Sequence, residues 1–271
     1  MPELPEVETI KRQLNRKIKG KKIKDVQVNL PKIVKYPLNK FKKIVKGAEI
    51  RNISRRAKLI LIELSNNYFL ITHLKLTGQL IFNGAPNKYT HLIYYFTDKS
   101  YLIYNDLRQF GFIKLISKKE LTDYFDKEKF GPEPLTKEFT LKLFKELLNK
   151  RKKSKIKILL MDPKFIAGIG NIYSDEILFS AGVLPFRKVE TLNFLEIKKI
   201  YQEIKRILIL AIKKKGSSNK DYFDALGQKG SFGPLQKVYQ KEGQPCFKCK
   251  TKIKRIKMGG RSAHFCPKCQ K

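Results

Sequence analysis

The chain reads as an α+β protein: a leading helix on an N-terminal β-sandwich, a C-terminal helical region, and a closing β-hairpin that carries cysteines. Three observations predict this. Apolar residues recur at helical spacing at the start, in strand-like clusters from Lys22 to about Leu115, and at helical spacing again beyond a proline-bearing break. All four cysteines come after position 245. A chain of 271 residues is long enough for two cores.

The leading helix follows from Leu4, Val7, Ile10, Leu14 and Ile18, one apolar face that Gly20 ends. KIKDVQVNL, AKLILIEL, YFLITHL, HLIYYFT and SYLIYND then supply β-branched and aromatic strands, and a strand begins at RRAKLI. Asn66-Asn67, Asn83-Gly84 and Asp98-Lys99-Ser100 are the turns between them. FGPEPLT, residues 130–136, is the linker. Helices are predicted over about 137–150, 156–161 and 172–180, with a longer one from Asn193, where Asn193 and Glu196 have capping-box spacing. The stretch KKKGSSNKDYFDALGQKGSFG has no period and is long for a structureless loop, so it is either functional or mobile. The expected parts are 1–132, 133–235 and 236–271.

With 59 Lys+Arg against 24 Asp+Glu, the formal charge of +35 calls for a polyanionic partner, nucleic acid first. An anionic membrane is the alternative, but no basic amphipathic anchor or lipidation motif stands out. Apolar runs fall far short of the roughly 18 residues of a membrane span. Acids at positions 3, 6 and 8 are unlike a secretory signal, so a cytosolic protein is expected.

Cys246 and Cys249 form one C-x-x-C pair, and Cys266 and Cys269 another, with residues 250–265 between them. Four thiolates at that spacing suit one tetrahedral Zn²⁺ at about 2.3 Å, and a closed Cys₄ shell makes the ion structural. His264 lies close enough to be considered as a ligand, but four cysteines already close the shell. The hairpin turns at Met258-Gly259-Gly260 and carries Lys252, Lys254, Arg255, Lys257 and Arg261.

MPELPEVET at the start, RRAKLI at 55–60, HLKLTGQL at 73–80, LRQFG at 107–111, GPEPL at 131–135, GIGNIY at 168–173 and the Cys₄ finger occur in order. Together they resemble the bacterial formamidopyrimidine-DNA glycosylases, along the whole chain. The resemblance implies a C-terminal helix–two-turn–helix domain and a monomeric, nucleoid-associated enzyme. Its substrate would be double-stranded DNA containing oxidised purines or abasic sites, held between domains. The endonuclease VIII-like glycosylases for oxidised pyrimidines are the sister alternative, and Leu4 favours the purine branch. A non-catalytic DNA-binding zinc protein is the alternative from another class.

The chemistry gives Pro2 a part. An α-amino group titrates near about 8, so a terminal proline, once Met1 is removed, presents a secondary amine that is partly neutral near pH 7. Attack at C1′ yields an iminium with no N–H to lose, which remains an electron sink for elimination. Taken alone, Pro2 reads as a helix-starting proline. By resemblance Glu3 is the acid, a role that calls for burial. Glu6 is expected to face the first helical turn and Glu8 to face solvent.

The resemblance also implies that Lys58 and Arg261 contact phosphates beside the reacting sugar and assist the two eliminations, a guanidinium being suited to bidentate contact. Leu76, Arg108 and Phe110 match the three side chains that fill the gap left by an everted base. Leu76 stands where the family has methionine. Asn171 caps a helix and contacts phosphate. Lys152 and His91 match family DNA contacts, and His73 stands with them, the two histidines being equally open to structural roles. The loop 216–233, with Ser217, Ser218 and Tyr222, lies where the family folds a lid over 8-oxoguanine.

Overall fold

The computed structural model describes residues 1–218 and 222–271. Three residues of the expected lid, 219–221, lie outside the described residues. The chain forms two compact units, Met1–Lys129 with Lys214–Gly233, and Phe130–Lys213 with Pro234–Lys271.

In the first unit α1 spans Leu4–Ile18, followed by β1 Ile23–Val28, α2 Leu38–Val45, β2 Ile50–Arg56, β3 Leu59–Leu64, β4 Tyr68–His73, β5 Gly78–Phe82, β6 Thr90–Phe96, β7 Tyr101–Asp106, β8 Phe112–Ser117 and α3 Leu121–Glu128. Two four-stranded antiparallel sheets, ordered β1-β6-β7-β5 and β2-β3-β4-β8, make the sandwich. The apolar stripe of α1 (Val7, Ile10, Leu14 and Ile18) joins Ile53, Ile60 and Ile62 of one sheet and Leu80, Leu92 and Tyr104 of the other in a single core. Each fully buried aliphatic there contributes about 1.5–3 kcal/mol.

Asn67, Asn83 and Lys99 take positive φ at the turns the sequence marks. Two helices and two strands carry weaker signals. Only Phe41 and Val45 of α2 are buried, and no residue of α3 is. β2 buries just Ile50 and Ile53 among arginines, and β5 opens on a glycine. Lys58, expected at a strand start, sits in the turn between β2 and β3, after Ala57 at φ 52.

The second unit contains α4 Leu141–Asn149, α5 Ile156–Met161, α6 Asn171–Ala181, α7 Phe194–Lys213, β9 Lys254–Met258 and β10 Arg261–Phe265. Thr140 starts α4 by accepting from Leu143 N–H at 3.2 Å. α7 begins with the capping box its sequence indicates: Glu196 N–H donates to Asn193 Oδ1 at 2.9 Å, and Asn193 N–H to Glu196 Oε2 at 2.8 Å. β9 and β10 pair antiparallel about Gly259 and Gly260, both at positive φ, where glycine carries no steric cost.

The sequence groups the non-periodic loop with the helices, in 133–235. Residues 214–233 instead pack with the first unit, because their polar partners are on α1 and β5. Gln13 Nε2 donates to Asp224 Oδ2 at 2.7 Å, Ala225 N–H to Gln13 Oε1 at 2.9 Å, and Phe82 N–H to Ala225 O at 2.9 Å. The finger, set apart in the sequence as 236–271, belongs to the same compact unit as the helices.

Candidate active site and nucleic-acid interface

At the head of α1, Pro2 is buried and Glu3 is 2% exposed. Glu6 holds this end. Glu3 N–H donates to Glu6 Oε2 at 2.7 Å, and Ser217 N–H donates to Glu6 Oε1 at 2.8 Å. One carboxylate thus joins the first turn of the helix to the base of the non-periodic loop. Gly216, at φ +80, is required at that join, since a Cβ there would meet Glu6 Oε1 at 2.6 Å. Tyr222 is buried with its hydroxyl 3.4 Å from the Glu6 carbonyl oxygen. Ser218 Oγ accepts from Gly230 N–H at 2.8 Å and donates to Tyr222 O at 2.8 Å. These three loop residues therefore anchor the loop on α1 and on itself.

Glu8 departs from expectation. It is buried, not solvent-facing, and accepts from Arg12 Nε at 2.7 Å and Arg55 Nε at 3.1 Å. Burial pushes its carboxyl up, but Arg12, Lys11 and Arg55 outweigh this and hold it below its ordinary value. Arg55 Nη1 also donates to Ala57 O at 2.8 Å, so the pair ties the turn bearing half-buried Lys58 to α1.

A second cluster lies at the ends of β4, β5 and β7. His73 Nδ1 accepts from Lys75 N–H at 2.9 Å and stiffens the turn that carries Leu76, where Lys75 sits at φ 48. Burial, then the charges of Lys75 and Lys58, push His73 down to about 3. Its neutral form is the one that accepts this bond, with the proton on Nε2. His91 is buried, with Nε2 2.8 Å from Asp106 O. Arg108 is exposed and lies 5.0 Å over the ring of Phe110, which is itself 55% exposed. Leu76 is half-buried.

The His73 shift has a pH consequence. Its folded value is depressed below the ordinary 6.5, so the unfolded chain binds the proton first as pH falls. Stability from the neutral ring is complete above about pH 6.5 and is lost progressively towards pH 3. Replacement by glutamine keeps an acceptor for Lys75 N–H without the titration. In urea unfolding at pH 7, 5 and 4, the advantage of wild type over His73→Gln should therefore shrink as pH falls. A constant difference would exclude His73 as the titrating group.

In the second unit, Asn171 and Arg261 line one pocket of about 750 Å³ with Arg255, Lys257 and the Gly259-Gly260 turn. Asn171 is the first residue of α6, with Gly170 in the cap position, so its side chain does not cap the helix as its sequence context suggests. Its buried Oδ1 has no hydrogen-bond partner among the described residues. The carboxamide and the positive end of α6 thus face a basic hollow. Lys152 is exposed, outside this lining, with its carbonyl oxygen accepting from Glu190 N–H at 3.0 Å.

Cys246, Cys249, Cys266 and Cys269 bring four Sγ atoms within 4.8 Å of one another, with contacts of 3.9 Å between Cys246 and Cys269 and 3.4 Å between Cys249 and Cys266. A tetrahedral ion with Zn–S of about 2.3 Å needs sulfurs at roughly these separations. The residues fit one structural Zn²⁺. His264 is not part of this set; its Nδ1 lies 3.0 Å from Asp175 Oδ2.

Four acids escaped the sequence reading. Asp106 is fully buried and gathers hydrogen bonds from two separate turns. Asp224 receives Gln13. Asp175 of α6 accepts from Lys157 Nζ at 2.5 Å and from His264 N–H at 3.0 Å, pinning β10 to the helix that opens at Asn171. Glu176 accepts from the N–H groups of Lys237, Val238 and Tyr239 at 2.8, 3.0 and 2.9 Å, fixing the approach to the finger. The scarcity of acids in so basic a chain was the available signal.

A sandwich headed by buried Pro2 and Glu3, and a basic helical unit closed by a Cys₄ hairpin, define a two-unit zinc-finger protein suited to a polyanion. Three family models match in order: the formamidopyrimidine-DNA glycosylase N-terminal domain over residues 1–113, the H2TH domain of the same enzymes over 130–222, and the zinc finger found in FPG and IleRS over 243–271. The chain is 46% identical to the formamidopyrimidine-DNA glycosylase of Streptococcus mutans and 45% identical to that of Carboxydothermus hydrogenoformans, covering 100% of each chain in both cases. It superposes on the Lactococcus lactis Fpg bound to abasic-site DNA with a TM-score of 0.93, at 40% identity over 99% of both chains. The same relative in complex with DNA containing an oxidised pyrimidine gives a TM-score of 0.91, at 40% identity over 100% of both chains.

The chain belongs to the formamidopyrimidine-DNA glycosylase family. It is a DNA glycosylase of base excision repair whose partner is DNA. Among the described residues, no helix is long and apolar enough to cross a membrane.

Proposed function

We propose that the protein excises oxidised purines, 8-oxoguanine and formamidopyrimidines, from double-stranded DNA and then cleaves the strand at the resulting site, as a monomer on the bacterial nucleoid. The observation that carries this reading is the Glu6 bridge: it holds Glu3, next to Pro2, against the base of the loop that would cover the damaged base.

In this reading Met1 is removed and the Pro2 nitrogen attacks C1′. The C1′–N bond breaks and the base leaves with the electron pair. The Pro2 nitrogen then loses its proton and its lone pair opens the C1′–O4′ bond, leaving a C1′=N⁺ iminium and an O4′ hydroxyl. Glu3 supplies a proton to the leaving base or the ring oxygen. The Pro2–C1′ iminium draws electrons as a proton leaves C2′ and the 3′ phosphate departs. A second proton loss expels the 5′ phosphate. Lys58 and Arg261 contact the phosphates, and Asn171, Lys152 and the end of α6 grip the backbone. His91 acts through the loop it supports, and His73 holds the Leu76 turn. Leu76, Arg108 and Phe110 occupy the emptied stack, with Arg108 donating to the orphaned cytosine. Zn²⁺, when bound, stiffens the hairpin that presents Arg261.

Borohydride trapping on a duplex with 8-oxoguanine opposite cytosine tests the reaction. Met-processed protein should form a covalent adduct, and protein that retains Met1, in which the Pro2 nitrogen is a tertiary amide, should lose most of it. No adduct with processed wild type would overturn Pro2 as the nucleophile and the strand cleavage that follows from it. The Lactococcus lactis relative has been captured with oxidised-pyrimidine DNA, so thymine glycol is the competing substrate; a clear preference for it would overturn the purine assignment.

A further inference from the structure

Asp106 closes β7, is 0% exposed, and uses both carboxylate oxygens. Oδ1 accepts from Thr77 Oγ1 at 2.5 Å and from Arg108 N–H at 3.2 Å. Oδ2 accepts from Gly111 N–H at 2.8 Å and from Tyr104 OH at 3.3 Å. Thr77 Oγ1 in turn accepts from Arg108 N–H at 2.9 Å. The carbonyl oxygen of Asp106 meets His91 Nε2 at 2.8 Å, and its N–H donates to Tyr89 O at 3.0 Å. One side chain therefore gathers the turn that follows Leu76 and both ends of the loop bearing Arg108 and Phe110. The arrangement is tight as well as bonded. A Cβ on Gly111 would meet Tyr104 Oη at 1.8 Å and His73 O at 2.8 Å, and Gln109 between the ends stands at φ 55.

We propose that Asp106 is the positioning residue for base eversion, setting Leu76 and the Arg108–Phe110 pair as one rigid wedge. The proposal rests on the insertion reading given above. Two turns far apart in sequence have no covalent reason to keep a common position. A groove of stacked bases accepts them together only if their relative placement holds to a fraction of an ångström. Backbone N–H groups at both ends of the 108–111 loop fix its path, while its exposed side chains stay free to enter DNA. Asp106 itself, fully buried, touches no substrate.

Full-length, zinc-loaded, Met-processed protein is compared as wild type, Asp106→Asn, Asp106→Ala, Thr77→Val, Arg108→Ala and Leu76→Ala. Asparagine preserves volume but turns an NH₂ group towards one set of donors. Thr77→Val removes a single link if the Asp106 variants fold poorly. Single-turnover excision of 8-oxoguanine should slow about 10- to 100-fold in Asp106→Asn, the cost of a misplacement near 1 Å. The fluorescence rise of 2-aminopurine beside the lesion, which reports unstacking, should fall with it at saturating protein. Elimination at a pre-formed abasic site, where no base pair must open, should keep its rate. Adding Leu76→Ala to Asp106→Ala should cost little more, because the wedge is already lost.

Equal loss on both substrates with an unchanged fluorescence rise, or additive losses in the double variant, would overturn the positioning role while leaving insertion intact. If Leu76→Ala and Arg108→Ala each behave as wild type in excision and fluorescence, insertion itself fails, and the role of Asp106 with it.

Discussion

Replacing Glu3 by glutamine is expected to reduce excision of 8-oxoguanine by about 10²–10⁴-fold, the range of a positioned general acid. The substitution is nearly isosteric at a site 2% exposed, and an amide oxygen can still accept from the first turn of α1. What it lacks is a proton to give. An abasic site has no base left to expel, so a covalent adduct should still form there under borohydride. The two substrates thereby separate the acid from the nucleophile. Equal losses on both would show that Glu3 acts at a step the two substrates share, ring opening or the placing of Pro2, and not by protonating the leaving base.

Removal of the metal is expected to have the other large effect. The finger buries Cys246, Ile253, Cys266 and Val238 against Phe179 of α6, a cluster too small to stand alone. Structural zinc contributes about 10–16 kcal/mol to isolated finger peptides, so chelation or Cys266→Ser should unfold the hairpin. Arg255, Lys257 and Arg261 then leave the pocket they share with Asn171. DNA affinity should drop, and the plot of log affinity against log salt should flatten by about 0.9 for each phosphate that the finger no longer neutralises. Metal-free protein that binds DNA with an unchanged slope would exclude the finger from the phosphate grip.

Much of the molecule is legible in the chain alone. The α1 stripe, the turns at Asn67, Asn83 and Lys99, and the capping box at Asn193 and Glu196 are local events, readable because a helix repeats every 3.6 residues and a turn needs particular backbone angles. β2 and α3 are not legible, since one presents arginines and the other buries nothing. Glu8 misleads for a different reason. Two of its cations lie on its own helix, but the contact that draws it out of solvent comes from Arg55, on a strand far along the chain.

The sequence by itself determined the order of elements, the Cys₄ metal shell, the positive charge that seeks phosphate, and the Pro-Glu head of the chain, because each depends on residues close together or on bulk composition. Only the tertiary structure decided which acids organise the site. Glu6 with Ser217, Thr77 with Asp106, and Asp175 with His264 are pairs distant in the chain. A hydrogen bond across such a separation leaves no period and no spacing for a linear reading to find. It exists only once the core around it has packed and left a buried carboxylate that must find its donors.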